Sequence, residues 1–264
     1  MSSILRGSPR RIFFAVVPRV LNYVLAAIGL CTTAARAAEV MLDVTESHLT
    51  QGFGDQYSQL LTASAPVGPQ DSLLYLLLEN KHAFGEHAVI GAASYSWDLT
   101  PLDRLSLAAS GSNAPTIAPK WRADGQYSRK LLPERNLVAS LGGFTSATRD
   151  GHHDSSVVGS GAWYFADRQV VEGGVRYSIS NPGDQTAWRG FAAYTYGAVG
   201  QSTLLLRVDS GGEAYQSLGV SGAVADFQSH EVIVAYRYWL GPGASLVAHV
   251  ADYRNPSYDK RSLG

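Results

Sequence analysis

The chain has 264 residues, of which 45% are hydrophobic and only 16% are charged. Soluble domains carry about a quarter charged residues, so this chain is unusually poor in charge. Its 27 glycines, and 14 tyrosines against 8 phenylalanines, favour β-structure with amphipathic aromatic side chains.

Residues 1–37 differ from the rest of the chain. They hold five arginines and no acid, an apolar run over 21–30, and the small residues Ala35 and Ala37 around Arg36. This order is typical of a secretory signal cleaved after Ala37. A mitochondrial transit peptide, also rich in arginine, is the alternative, and the apolar run favours the signal. The expected mature chain is 38–264.

Cleavage after Ala37 changes the charge of the chain. Lys and Arg fall from 21 to 16 against 22 acids, and the only cysteine, Cys31, is removed. The acidic balance excludes a large basic surface, so no nucleic-acid partner is expected. A mature exported chain without cysteine needs no disulfide framework.

Alternation of apolar and polar residues recurs along the mature chain, and this period of two predicts β-strands. The clearest runs, in chain order, are 120–131, 137–144, 156–165, 171–179, 203–209 and 231–238. Turn signals rich in Gly, Pro, Asn and Asp separate them, for example 181–184 and 241–243. We predict about 14 strands, or 12 if the weak segments Gln56 to Ala65 and Asp103 to Gly111 are not strands.

The stretch 120–131 raises the question of which face is buried. Lys120, Arg122 and Asp124 alternate with Trp121 and Ala123. A soluble sandwich or propeller would bury the apolar face, whereas an outer-membrane barrel turns that face to lipid. The export signal, the aromatic residues near strand ends and the regular hairpins favour the barrel, because closing the sheet removes its edges. We therefore predict an all-β, antiparallel, up-and-down transmembrane β-barrel of 12–14 strands in the outer membrane.

This register assigns residues to the two faces of the barrel wall. The main candidates for the lumen are Glu79, Arg122, Asp124, Lys130, Glu172, Arg176, Arg207, Glu231 and Arg237, together with Asp43, Lys81 and Arg189. The candidate aromatic residues at the lipid interface are Tyr95, Trp97, Trp121, Trp163, Trp188 and Tyr238. Interspersed charges of both signs favour cross-strand ion pairs over a selective ring, although a solute-selecting pore remains the alternative. The longest turn, Gly111 to Pro119, is too modest to predict a plug.

The sequence resembles the YaiO-type outer-membrane β-barrel family in three places. These are Asp43 to Asp55, similar to the family's first strand and turn, then 118–131, similar to a strand opening with Pro and basic residues, and Tyr258 to Arg261, similar to the start of the last strand. The resemblance implies a barrel of nearly the whole mature chain and no established catalytic mechanism. Related barrels occur near exopolysaccharide export systems, so glycan is a candidate partner beside outer-membrane lipid.

The family pattern also concerns the end of the chain. Barrels of this kind usually finish in an aromatic-ended strand that the barrel-assembly machinery recognises, whereas this sequence stops at Leu263-Gly264. Two interpretations follow, a truncated sequence or a shortened last strand.

Two sets of residues could carry catalysis. His152, His153 and Asp154 could form a base or half of a metal site, but no third ligand is set by spacing, so a solvated loop is favoured. Ser160 and His249 could form a hydrolytic pair, but both are expected in the lumen, away from lipid esters. We therefore expect no enzyme and no cofactor. The predicted function is a passive pore or an accessory component of envelope glycan export. The alternatives are a lipid- or glycan-acting hydrolase and a soluble glycan-binding protein.

Overall fold

A computed structural model describes residues 39–68, 72–165, 168–198, 201–241 and 244–264. The expected signal, 1–37, lies outside the described residues. Within them the chain forms 14 strands and one 3-10 turn, Gly219–Ser221, and no helix there is long and apolar enough to cross a membrane. The strands are β1 Glu39–Leu49, β2 Gly54–Pro66, β3 Leu73–Ala83, β4 Glu86–Asp98, β5 Asp103–Ser112, β6 Trp121–Leu131, β7 Leu137–Ala147, β8 His153–Phe165, β9 Gln169–Asn181, β10 Gln185–Gly197, β11 Thr203–Ser217, β12 Ala223–Gly241, β13 Ala244–Arg254 and β14 Asp259–Leu263.

The strands form one closed antiparallel barrel in which each strand pairs with its neighbours in sequence and β14 pairs with β1. The closing pairs run from Glu46 opposite Leu263 to Leu49 opposite Lys260. Along these pairs, closure gives backbone donors and acceptors partners within the wall, which a membrane requires. The predicted up-and-down barrel is confirmed. Both weak segments of the sequence are strands, β2 and β5, because their neighbours supply pairing that local pattern does not show.

The two ends of the barrel are defined by their turns. The distal end carries the turns 50–53, 84–85, 113–120, 148–152, 182–184, 218–222 and 255–258. The opposite end is the proximal end. It carries the first residue of β1, Glu39, and the strand ends that do not adjoin a distal turn.

The outer face of the barrel is apolar. Leu141, Val157 and Leu246 are 61%, 56% and 62% exposed, and similar residues occupy the outward positions of other strands. Exposed apolar surface on this scale is not stable in water and fits a hydrocarbon environment. The polar positions that alternate with these residues therefore face the interior.

One distal turn is unusually tight. Phe84 and Gly85 alone join β3 to β4, with φ values of 50° and 77°. A two-residue hairpin of this type needs positive φ at both central residues, which glycine adopts freely and phenylalanine does not. The left-handed conformation costs a non-glycine residue roughly 1–2 kcal/mol. The burial of the Phe84 ring, at 9% exposure, offsets that cost.

Candidate functional site

The structure places the nine main lumen candidates on the inner face. On β6, Arg122 and Asp124 alternate with the exposed Trp121 and Tyr127. On β12, Glu231 and Arg237 alternate with exposed Val232, Tyr236 and Tyr238. The remaining members are Glu79 on β3, Lys130 on β6, Glu172 and Arg176 on β9 and Arg207 on β11.

Two chambers occupy the proximal and central interior. The proximal chamber, about 340 Å³, is lined by Arg104, Gln126, Ser140, Glu172 and other residues of β4 to β10. The central chamber, about 480 Å³, is lined by Tyr75, Arg122, Asp124, Gln126 and Phe144, among others. Gln126 borders both chambers, so they are neighbours along the interior.

Hydroxyl groups cover much of the wall around these chambers. Ser96 and Ser106 share a hydrogen bond of 2.8 Å between β4 and β5, and Ser128 and Ser140 share another of 2.8 Å between β6 and β7. The Gln126 amide donates to Ser128 at 3.1 Å. Each such group can both donate and accept, so the wall can exchange hydrogen bonds with a polar solute.

Phe191 and Tyr164 add aromatic faces to the proximal chamber. The Phe191 ring lies against Gly174, where an added Cβ atom would approach ring carbon Cε1 to 2.6 Å and the Gly159 carbonyl oxygen to 2.8 Å. Only a residue without a side chain therefore allows the ring to lie against β9.

We expect the substitution Gly174→Ala to lower the free energy of unfolding by about 2 kcal/mol, because the ring and the backbone must both shift. Urea unfolding of the folded barrel in detergent measures this. Gly159→Ala is the matched control, since nothing lies within 4 Å of its Cβ position on β8. Equal stability of the two variants would contradict the packing argument.

Two arginines in the interior share one arrangement. Arg122 donates to Asp124 two residues further along β6 at 2.9 Å and lies 3.7 Å from the Phe144 ring centre. Arg207 donates to Asp209 on β11 at 2.7 Å and lies 4.4 Å from the Phe191 ring centre. The Arg-x-Asp spacing places both groups on one face of a strand, and the aromatic ring favours the guanidinium.

The predicted cross-strand ion pairs form only in part. Arg104 and Asp98 pair across β4 and β5 at 3.1 Å, and Arg237 reaches Glu39 at 3.2 Å. Five of the nine main lumen candidates make no ion pair within the described part of the chain. They are Glu79, Lys130, Glu172, Arg176 and Glu231.

A buried network joins β10 to β13. The Arg189 side chain, 8% exposed for the residue, donates to Glu213 Oε1 at 2.9 Å and also to Ser229. Ser229 and Tyr253 donate to the same carboxylate oxygen, Tyr253 at 2.9 Å. The network holds four neighbouring strands together through one charged acceptor. Glu213 was not among the sequence candidates, because it follows two glycines that end the apolar alternation of β11.

The distal mouth is crossed by the turn 113–120. The Glu86 carboxylate accepts hydrogen bonds from the backbone of Thr116 at 3.0 Å, the Thr116 hydroxyl at 2.9 Å and the backbone of Ile117 at 3.2 Å. From the other side of the barrel, Ser217 on β11 donates to the Thr116 hydroxyl at 2.7 Å. The sequence indicated no plug or constriction loop here, and the contacts of Thr116 could not be read from it. The length of the turn is modest, but Glu86 anchors it over the mouth.

Aromatic residues also pack at the distal mouth. The ring of Phe84 lies 5.8 Å from Phe53 and 5.6 Å from Tyr258, and Leu218 joins this buried cluster. Burial raises the pKa of Tyr258 to about 12, and the nearby Glu213 charge acts in the same direction. The cluster joins residues in or beside four distal turns, 50–53, 84–85, 218–222 and 255–258, and narrows the distal mouth.

The turn 148–152 packs on the same mouth. Tyr215 stacks on His152 with ring centres 3.7 Å apart and donates to Asp150 at 3.0 Å. Burial opposes ionisation of Asp150, but hydrogen bonds from Thr148 and Tyr215 outweigh it and hold the pKa of this carboxyl below its ordinary value. The turn is therefore part of the closed mouth and not a freely solvated loop.

Comparisons with known proteins identify the family. A model of the YaiO membrane beta barrel domain matches residues 39–216. The chain belongs to this family. A search of curated proteins gives no match.

Solved structures share the fold of this YaiO-family barrel. The TodX monoaromatic hydrocarbon channel deltaS2 mutant is 11% identical with a TM-score of 0.55, over 88% of this chain and 90% of that one. Omp33 of Acinetobacter baumannii is 10% identical with a TM-score of 0.50, over 85% and 95%. An anion-selective porin from Comamonas acidovorans is 9% identical with a TM-score of 0.48, over 86% and 98%. The protein is therefore an outer-membrane β-barrel. The interpretation as a soluble glycan-binding protein is wrong.

The six aromatic candidates of this YaiO-family barrel occupy outward positions near strand ends. Tyr95 and Trp97, with ring centres 5.4 Å apart, lie near the proximal end of β4. Trp163 and Tyr238 are also proximal, whereas Trp121 and Trp188 lie towards the distal end. Aromatic rings at both ends suit the two membrane interfaces.

The candidate catalytic residues are distributed over both faces. His153 is on the outer face and Asp154 on the inner face, because adjacent strand residues point in opposite directions. Ser160 borders the proximal chamber, whereas the polar partners of His249 are Thr45 and Asp43. The described residues contain no group of three His, Cys, Asp or Glu residues that could hold a metal ion.

His249 has a structural environment of its own. Its Nε2 lies 3.2 Å from the Thr45 hydroxyl and its Nδ1 lies 3.4 Å from Asp43. The Thr45 hydroxyl already donates to Asp43 at 2.7 Å, so it can only accept from the imidazole. The imidazole therefore acts as a donor that links β13 to β1, and not as a base that activates the hydroxyl.

Proposed function

We propose that the protein is a passive, gated channel for small, uncharged, hydroxyl-rich solutes of the glycan type, accessory to glycan traffic across the outer membrane. The observation that carries this proposal is the wall of the proximal chamber, where Gln126, Ser128, Ser140 and Ser160 adjoin the aromatic side chains Tyr164 and Phe191. Hydroxyl and amide groups bind sugar hydroxyls, and aromatic rings pack on their apolar faces.

The charges of the interior support a neutral solute. Arg122, Arg207 and Arg104 each pair with an aspartate, and the unpaired charges of the inner face are of both signs. The described part of the interior therefore offers no continuous ring of one sign. A ring of one sign is the pattern that selects ions in charged pores. The contacts across the distal mouth mean that passage requires the turn 113–120 to move.

Liposome swelling with sugars of increasing size tests the proposal. We expect Ser140→Trp to slow swelling several-fold, because the indole fills the proximal chamber from its inner wall. Leu141→Trp is the matched control, since this adjacent residue is 61% exposed on the outer face. Both substitutions are made in the wild-type chain and in a Glu86→Ala chain, whose distal mouth is released. If neither background passes sugars, or if the two tryptophans act alike, the channel proposal is wrong.

A further inference from the structure

Five of the seven histidines lie on the outer face: four near the distal ends of their strands, and His230 on β12 opposite Arg254, the last residue of β13. Their outward position follows from alternation with exposed apolar residues, as for His87 before Val89 and His230 before Val232. We name these five the distal histidine girdle. They are His48 on β1, His82 on β3, His87 on β4, His153 on β8 and His230 on β12.

His48 faces groups of both charges. Its side chain is 74% exposed and its Nδ1 lies 2.7 Å from Asp55 on β2. On the other side it is directly opposite Arg261 on β14. Arg261 is itself exposed and lies 3.7 Å from Asp252, which also binds Arg254. Two further carboxylates share this face, Glu46 two residues before His48 on β1 and Asp259 directly opposite Arg254. This part of the rim therefore combines two permanent cations and one imidazole with four carboxylates.

His82 and His87 are directly opposite each other on β3 and β4. The His82 ring stacks on Tyr57 with ring centres 5.0 Å apart, and His87 Nε2 lies 2.5 Å from the Asn80 amide oxygen. No carboxylate pairs with either imidazole among the described residues. Protonation of both would place two like charges side by side, which an external anion would relieve.

The other two members of the girdle also lack a carboxylate partner within the described chain. His230 Nδ1 lies 2.8 Å from the Ser210 hydroxyl, and the residue is opposite Arg254. His153 is exposed between Ala147 and Asn181 on the neighbouring strands. Four of the five imidazoles can therefore gain a proton without a protein carboxylate to neutralise them.

We propose that the distal histidine girdle, when protonated, binds the phosphate groups of anionic lipid around the distal rim. Trp121 and Trp188, at the same end, place this level of the barrel at a membrane interface. Histidine changes charge between about pH 5 and 8, and a cation near an anionic lipid surface is attracted to it. A protonated imidazole attracts lipid phosphate and a neutral one does not, so the attraction is expected at low pH and not at high pH.

The test compares unfolding midpoints, read from heat-modifiability gels, in phosphatidylcholine vesicles with and without phosphatidylglycerol. Lowering the pH from about 8 to about 5.5 is expected to raise the midpoint by about 5 °C more in the anionic vesicles. Glutamine at all five girdle positions should abolish this difference. The control carries His152→Gln and His249→Gln, the two histidines outside the girdle, and should retain it.

Three results would overturn the proposal. One is a shift of the unfolding midpoint with pH that is equal in both kinds of vesicle. This result needs only the wild-type chain. The second is a retained difference in the girdle variant, or an undiminished difference in the pair His82→Gln and His87→Gln if the fivefold variant does not fold. The third is reproduction of the whole effect by inorganic phosphate in phosphatidylcholine vesicles, which would assign the site to a free anion instead of lipid.

Discussion

Replacing Glu86 by alanine is expected to open the distal mouth and to raise the open probability of single channels about 100-fold. The Glu86 carboxylate accepts three hydrogen bonds from the turn, two from Thr116 and one from Ile117. Hydrogen bonds to a charged group contribute about 1.5–3 kcal/mol each. A net loss of about 3 kcal/mol for the closed state shifts a two-state equilibrium by roughly two orders of magnitude. Planar-bilayer recordings measure the change directly.

Glu79→Ala is the matched control for the Glu86 variant. Glu79 is a glutamate on the inner face of the adjacent strand β3 and makes no ion pair among the described residues. Its removal changes the charge of the interior equally but leaves the turn 113–120 anchored. Open probability in Glu86→Ala no higher than in Glu79→Ala would show that the turn does not gate the mouth.

Replacing Arg189 by methionine is expected to lower the free energy of unfolding by about 3–5 kcal/mol. The substitution removes the cation that faces Glu213 in a buried site, so the carboxylate remains among Ser229 and Tyr253 without compensation. An unpaired buried charge accounts for most of such a loss, and neutral replacement of both partners is often tolerated. Urea unfolding in detergent measures the loss, and the double variant with Glu213→Gln should recover most of it.

Arg176→Met is the control for the Arg189 variant. Arg176 is directly opposite Arg189 on β9, faces the same interior and has no ion pair among the described residues. Its removal relieves repulsion between two cations and is expected to change stability little. An equal loss of unfolding free energy in both arginine variants would contradict the claim that the unpaired Glu213 carboxylate causes the loss.

The inner and outer faces of the barrel can be predicted from the sequence, because a register that turns charged side chains to lipid has a high free energy. An arginine or lysine facing lipid near the midplane costs about 2–4 kcal/mol. In the stretch 120–131 that cost is enough to decide which face carries Arg122 and Asp124, and the structure places both inside. The Arg-x-Asp pairs are also visible in sequence, because a spacing of two keeps both groups on one face.

The closure of the distal mouth does not follow from the sequence. The turn 113–120 has ordinary length and composition, and its position depends on Glu86 and Ser217, which lie 30 and 101 residues from Thr116 along the chain. The network of Arg189, Glu213 and Tyr253 likewise joins residues of three strands. Contacts between such distant residues have no local periodicity from which they could be inferred.

The sequence by itself determined the strand type, the inner and outer faces and the membrane environment, since these depend on a period of two and on the cost of charge in lipid. Only the tertiary structure decided that the strands number 14, that five histidines share one rim and that the turn 113–120 and an aromatic cluster pack at the distal mouth. Closure of the barrel sets which strands meet and at what height, and that geometry is a property of the whole sheet and not of any segment.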